Sequence, residues 1–259
     1  MNKLKVMKAH FPMKGDHPDV SRWAAEMELV CANDKRIESL GSYYIADTPI
    51  TMSRNRAVQT AIQNGIDILI MTDDDMGADI INPKVTFWES SLNFMLERWD
   101  EAPTVIAVPY CSAPPLEEVM AFRWGAMQTD DPNPNYQLKK YEREESIDLV
   151  GIQPVAALAT GLVAIDMRIF TGFTLKDGRI IKLTPPYFYY EWTDNTQTVK
   201  SSTEDVVWSR NTELIFAQHG LETCFVNWDC WAIHHKSKAV GKPHRPSSKN
   251  IARLFVKGD

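Results

Sequence analysis

The most constraining stretch of this 259-residue chain is Ile66-Asp67-Ile68-Leu69-Ile70-Met71, an almost continuous apolar run that ends at Thr72-Asp73-Asp74-Asp75. A run this short between turn signals reads as a central strand covered on both faces, which requires helices on either side of a sheet. Three successive acids at its end then need a cause, because two carboxylates about 5 Å apart repel by roughly 3 kcal/mol at an effective dielectric of 20. Ligands of open α/β sheets gather at the C-terminal ends of strands, and paired carboxylates suit Mg2+ or Mn2+. A solvated turn that caps the next element is the competing reading.

The surrounding sequence alternates strand and helix patterns. Leu4 to His10 reads as the first strand, followed by a helix with Val20, Trp23, Ala24, Met27, Val30 and Cys31 on one face. Ser42 to Ala46 is a second strand. Ser53 is placed to cap a helix bearing Ala57, Val58, Ala61 and Ile62, which Gly65 ends. Asn82-Pro83 reads as the start of a helix with Trp88, Leu92, Met95 and Trp99 buried. Thr104 to Pro109 is a strand, and Met127 to Asp148 a turn-rich excursion. Pro154 to Ile165 is apolar, Arg179 to Leu183 is a short strand, and a helix around Val207, Trp208, Leu214 and Ile215 ends at Gly220. Phe225 to Ile233 is a last strand leading into His234-His235.

Composition narrows the class. With 44% apolar and 24% charged residues the chain can bury a sizeable core without metal or disulfide staples. Its net charge of −6 opposes a surface devoted to nucleic acid or anionic membrane. Seven of the basic residues lie in Lys236 to Asp259, a local strip suited to an anion. Cys31, Cys111, Cys224 and Cys230 show no C-x-x-C spacing, and the start lacks an apolar signal core, so reduced thiols and a cytoplasmic location are expected. No P-loop, G-x-G-x-x-G, H-E-x-x-H or G-x-S-x-G pattern occurs.

Five short motifs occur in a telling order: Ser53-Arg54-Asn55-Arg56, the strand ending Asp73-Asp74-Asp75-Met76, Ala159-Thr160-Gly161-Leu162, Thr203-Glu204-Asp205, and His234. Together, over about residues 4 to 236, they resemble the signature of a GT-A-fold glycosyltransferase of the family-2 type. The resemblance implies a single GT-A-like α/β domain over 1–259, a Rossmann-like mixed sheet flanked by helices. Its nucleotide-sugar half would span about 1–110 and its acceptor half about 111–259.

By the same resemblance, Asp73 and Asp75 are the ends of a D-x-D motif that contacts the ribose and holds Mn2+ or Mg2+, with Asp74 between them. Arg54 and Asn55 line the nucleotide pocket, and Thr160-Gly161 lies by the donor sugar. Asp205 is the base that deprotonates the acceptor hydroxyl, with Glu204 orienting it. His234 is the third metal ligand, with His235 its rival. The donor is a nucleoside diphosphate sugar, a UDP-sugar first among them, and transfer is inverting by default.

Other readings stand beside these. Ser202-x-x-Asp205 and Ser201-x-x-Glu204 are both capping-box patterns. Adjacent strand residues face opposite ways, so one of His234 and His235 faces the site. Lys236 and Lys238, with Lys242 or Arg245, would reach a diphosphate from a lid, or form a solvated tail. Tyr187, Tyr189, Tyr190 and Trp192 would form an acceptor platform or pack in the core. Acceptors in view are a glycan, a small molecule or a hydroxymethylated DNA base. A sugar nucleotidyltransferase and a non-catalytic carbohydrate- or nucleic-acid-binding module are the rival functions.

Overall fold

A computed structural model describes residues 3–12, 17–113, 115–125, 138–193, 195–236 and 239–242. In chain order its elements are β1 (Leu4–Phe11), α1 (Pro18–Asn33), β2 (Ile37–Tyr44), α2 (Ile50–Gln63), β3 (Ile68–Asp73), β4 (Met76–Gly77), α3 (Phe87–Glu97), β5 (Val105–Ala107), β6 (Ala121–Trp124), β7 (Leu138–Lys140) and α4 (Arg143–Ser146). There follow β8 (Ile152–Pro154), β9 (Ala157–Leu158), β10 (Leu162–Asp166), α5 (Arg168–Thr171), β11 (Phe173–Thr174), β12 (Ile180–Ile181), β13 (Glu191–Trp192), β14 (Lys200–Ser202), α6 (Glu204–Ala217), β15 (Cys224–Asn227), β16 (Ile233–His235) and β17 (Ala239–Val240).

The main sheet has seven strands in the order β2-β1-β3-β10-β5-β15-β8. It is mixed: β3 runs parallel to β1, whereas β10 runs antiparallel to both β3 and β5. Helices cover both faces, so the architecture is α/β. Side chains that alternate along β3 explain why its sequence is apolar throughout. Leu69 and Met71 enter one core with Ala57 and Val58 of α2 and Trp208 and Phe216 of α6. Ile68 and Ile70 enter the other with Trp23 and Met27 of α1 and Trp88 and Leu92 of α3. All four cysteines are buried and free.

Several boundaries differ from the sequence reading. The second strand starts earlier and stops at Tyr44. Helix α2 begins at Ile50 with Pro49 as its N-cap, so Ser53 lies inside it, its hydroxyl donating to the Asp47 carbonyl at 2.7 Å. Helix α3 begins at Phe87, not Pro83: Asp79 Oδ1 accepts the Phe87 amide at 2.8 Å, supplying the cap from outside the helix. The segment from Phe225 to His235 is two strands in two sheets, with β15 in the main sheet and β16 between β4 and β17. Of the turn-rich excursion, residues 127–137 lie outside the described residues, and β7 and α4 occupy part of the rest.

Candidate functional site

The acids at the end of β3 come to lie beside residues far away in sequence. Arg54 on α2, buried against the sheet, gives Nη2 to both oxygens of Asp73 at 3.1 Å and Nη1 to Glu204 Oε1 at 2.5 Å. It therefore clamps the end of β3 to the start of α6. Burial pulls the guanidinium's pKa down, but Asp73, Asp205 and Glu204 outweigh it and raise the value. Burial raises the pKa of Asp73 against the pull of Arg54, and the same holds for Glu204.

Helix α6 starts with Thr203 as N-cap, and the Thr203 side chain makes no capping bond. Instead Thr203 Oγ1 donates to Asp205 Oδ1 at 2.5 Å. Neither Ser201 nor Ser202 is the cap, so neither capping box forms, although Asp205 Oδ1 accepts the Val206 amide in the first turn at 2.9 Å. Among the described residues, Asp205 Oδ2 has no hydrogen-bond partner.

Asp75 lies just beyond β3. His234 Nε2 is 3.6 Å from Asp75 Oδ1, and the other ring nitrogen, Nδ1, donates to the Cys111 carbonyl at 2.8 Å. That second bond orients the ring so that Nε2 faces Asp75, the usual support of a metal-binding imidazole. Lys236 Nζ pairs with Asp75 Oδ2. Burial would raise the Asp75 pKa, but His234 and Lys236 together hold it below the ordinary carboxylate range.

Asp73, Asp75 and His234 are not gathered as one ligand set: both Asp73 oxygens are committed to Arg54. Of the three, Asp75 and His234 lie together, and Asp73 departs from the expected triad. His235 is not an alternative to His234. The pleat of β16 turns it to the opposite side, where its ring stacks on His17 with centroids 3.6 Å apart.

Thr160 is buried with its hydroxyl unpartnered. The Gly161 carbonyl accepts the Asp73 amide at 2.8 Å, and a Cβ on Gly161 would meet Met76 Cε at 2.7 Å and Tyr110 Cε1 at 3.0 Å. The side chains that such a Cβ would crowd are thus the protein's own. Tyr110 carried no motif and escaped the sequence reading. It sits edge-on to His234 at 5.1 Å, and burial, then the charges of Asp205 and Asp73, raise its pKa well above the ordinary phenol value.

Asn55 turns away from the carboxylates. Its Nδ2 donates to the Thr51 and Phe188 carbonyls at 2.7 and 2.8 Å, and Oδ1 accepts the Tyr187 and Phe188 amides at 3.0 and 3.2 Å. With every polar valence used on backbone, it braces the aromatic segment, beside a cavity of about 500 Å3 lined also by Thr51, Arg56, Pro186 and Tyr187. Of the expected platform, Tyr187 packs edge-on against Phe170 at 4.7 Å, whereas Tyr190 and Trp192 form a pair with Lys200 Nζ 3.8 Å from the Tyr190 ring. Asp74 contributes a backbone carbonyl, which accepts the His17 amide at 2.9 Å. Lys238 and Arg245 lie outside the described residues. Among those residues no helix is long and apolar enough to cross a membrane.

These features define a class: a mixed α/β sheet flanked by helices, with a carboxylate-rich cluster around one buried arginine at the end of the central strand β3. No family model and no curated protein matches the chain. Among solved structures it is similar to A197 from STIV, at 13% identity and a TM-score of 0.50, over 94% of this chain and 96% of that one. At that identity the likeness concerns the fold alone.

Proposed function

We propose that the chain is a metal-dependent glycosyltransferase of GT-A type, moving a sugar from a nucleoside diphosphate donor to an acceptor hydroxyl. The observation that carries this reading is the convergence of Arg54, Asp73, Asp75, Glu204, Asp205 and His234, drawn from four motifs, around the end of β3. Four carboxylates there face two permanent cations, Arg54 and Lys236, so the cluster is short of positive charge. A divalent cation held by Asp75 and His234 would supply that charge and offset the charge developing on a departing diphosphate. Asp205, with Oδ2 open and Oδ1 fixed by Thr203, is the base that takes the acceptor proton. Arg54 holds Glu204 and Asp73 so that they do not repel it out of place.

Nucleoside diphosphate release from a panel of nucleotide sugars, UDP-sugars first, with and without Mn2+, tests the proposal. Metal-dependent release from one donor, abolished by Asp75→Asn, is expected. With the acceptor present, Asp205→Asn should lower transfer by about 10² to 10⁴. Pyrophosphate as the product would replace the reading with nucleotidyl transfer. No release together with no metal-dependent nucleotide binding would overturn enzymatic use of the cluster.

A further inference from the structure

On the side of β16 away from Asp75, three metal-binding side chains from two distant stretches meet. His17 caps α1, Asp19 lies in the first turn of that helix, and His235 comes from β16. His235 Nε2 is 3.2 Å from Asp19 Oδ2, and His17 Nδ1 is 3.7 Å from the same oxygen. One ligand atom from each residue lies within 4.8 Å of the others, the one such group of three among the described residues. His235 Nε2 is buried, with its side chain 11% exposed, yet it makes no aligned hydrogen bond. Room for that ring depends on Gly77, where a Cβ would lie 2.8 Å from His235 Nε2.

We propose that His17, Asp19 and His235 form a binding site for a zinc-class divalent ion, separate from the Asp75–His234 pair. Two imidazoles and one carboxylate are the donor set that selects Zn2+ or Co2+ over Mg2+, which prefers oxygen ligands. Tetrahedral bonds of about 2.0–2.2 Å place ligand atoms about 3.3 Å apart, so the separations of 3.2 and 3.7 Å need little closure. The two rings lie 10° from parallel and must splay for both lone pairs to converge. His17, with its side chain 41% exposed, has the space to do so. Its Nδ1 now accepts the Asp19 amide at 3.2 Å, and the ion takes the place of that bond. The ion then ties the first turn of α1 to the strand that carries His234.

The test uses the full chain, stripped with a chelator and titrated with Zn2+ by calorimetry and with Co2+ by visible absorption. In an Asp75→Asn background, which removes the other carboxylate, one site is expected to remain, and millimolar Mg2+ should leave it intact. His17→Ser keeps a good N-cap residue while removing the imidazole. It should weaken Zn2+ binding by more than about a hundredfold, beyond the roughly 10- to 100-fold that loss of a supporting partner costs, and Asp19→Asn should do likewise. In the otherwise unaltered chain, His17→Ser should lower the Zn2+ stoichiometry by one, which serves if Asp75→Asn fails to fold. Unchanged affinity and stoichiometry in both His17→Ser and Asp19→Asn, or equal competition by Mg2+, would overturn the site and leave an ordinary capped and ion-paired contact. Loss of binding in Asp75→Asn alone would assign the ion to the other pair.

Discussion

Arg54→Met is the perturbation that most directly tests how the cluster is held. The guanidinium is 4% exposed and bonds Glu204 at 2.5 Å and Asp73 at 3.1 Å. Removing one partner of a buried ion pair costs about 3–5 kcal/mol, because the other charge stays buried without compensation. Here two carboxylates lose one shared partner and Asp205 loses a nearby positive charge, so a loss near the upper end, about 5 kcal/mol, is expected. Whole domains are stable by about 5–15 kcal/mol, so the variant should be close to its folding limit. Methionine nearly fills the vacated volume, which keeps the cavity contribution small. The sign with pH follows from burial. Without Arg54, burial raises the folded-state pKa of Asp73 and Glu204 further, so the folded variant takes up protons where the unfolded chain does not. Its deficit against wild type should therefore narrow as pH falls from about 7 to about 5. Urea unfolding followed by tryptophan fluorescence at both pH values measures this, and adding Glu204→Gln should recover about 1 kcal/mol or more. A deficit under about 1 kcal/mol at neutral pH, or one that does not narrow on acidification, would refute the clamp.

Three further outcomes follow from neighbouring contacts. Asp75 has its folded pKa held down by His234 and Lys236, so its contribution is present above the ordinary carboxylate pKa and is lost as pH falls below about 4. Acid unfolding curves of Asp75→Asn should accordingly be flatter than wild type in that range and parallel to it above about pH 5; identical slopes would count against the pairing. Gly161→Ala should destabilise by about 1–3 kcal/mol through Met76 and Tyr110, and Met76→Ala should relieve it, with a coupling of at least about 0.5 kcal/mol in a double-mutant cycle. Strict additivity would mean that neither side chain is responsible. Asn55→Ala leaves the Tyr187 and Phe188 amides without their acceptor, at a cost of about 1–3 kcal/mol, and should speed hydrogen exchange at those two amides while leaving β3 protected.

The central strand, α1 apart from the exposed Val30, and the C-terminal ends of α2 and α6 were legible because periodicity and glycine placement are local properties. Gly65 and Gly220 do take positive φ, at 61° and 72°. What local pattern could not show was a cap supplied from elsewhere: Asp79 reaches eight residues along the chain to Phe87, so Asn82-Pro83 resembled a helix start without being one. The pairing of Arg54 with Glu204, 150 residues apart, had no local signal either. The acids of Thr203-Glu204-Asp205 could be read equally well as caps until the partner on α2 was in view. Asn55, which the resemblance put in the nucleotide pocket, has a side chain that serves the backbone at Tyr187 and Phe188.

Strand β16 joins these observations. It pairs His234 with Met76 and Ile233 with Gly77, so its pleat delivers two consecutive imidazoles to opposite sides of one short ribbon. His234 meets Asp75, supported from behind by the Cys111 carbonyl, and His235 meets Asp19 and His17. Each cluster can be weakened by its own substitutions, but both depend on the same two-residue register against β4. A slip of one residue would exchange the two rings and satisfy neither cluster. The register is therefore the shared vulnerability, and Gly77 guards it: a Cβ there would press on the His235 ring at 2.8 Å and on Ile80 Cδ1 at 2.8 Å. Gly77→Val should consequently abolish ion binding at both places together, whereas His17→Ser should spare the Asp75 pair. Loss at the His235 side alone in Gly77→Val would mean that β16 holds its register without β4, and that the two clusters are independent.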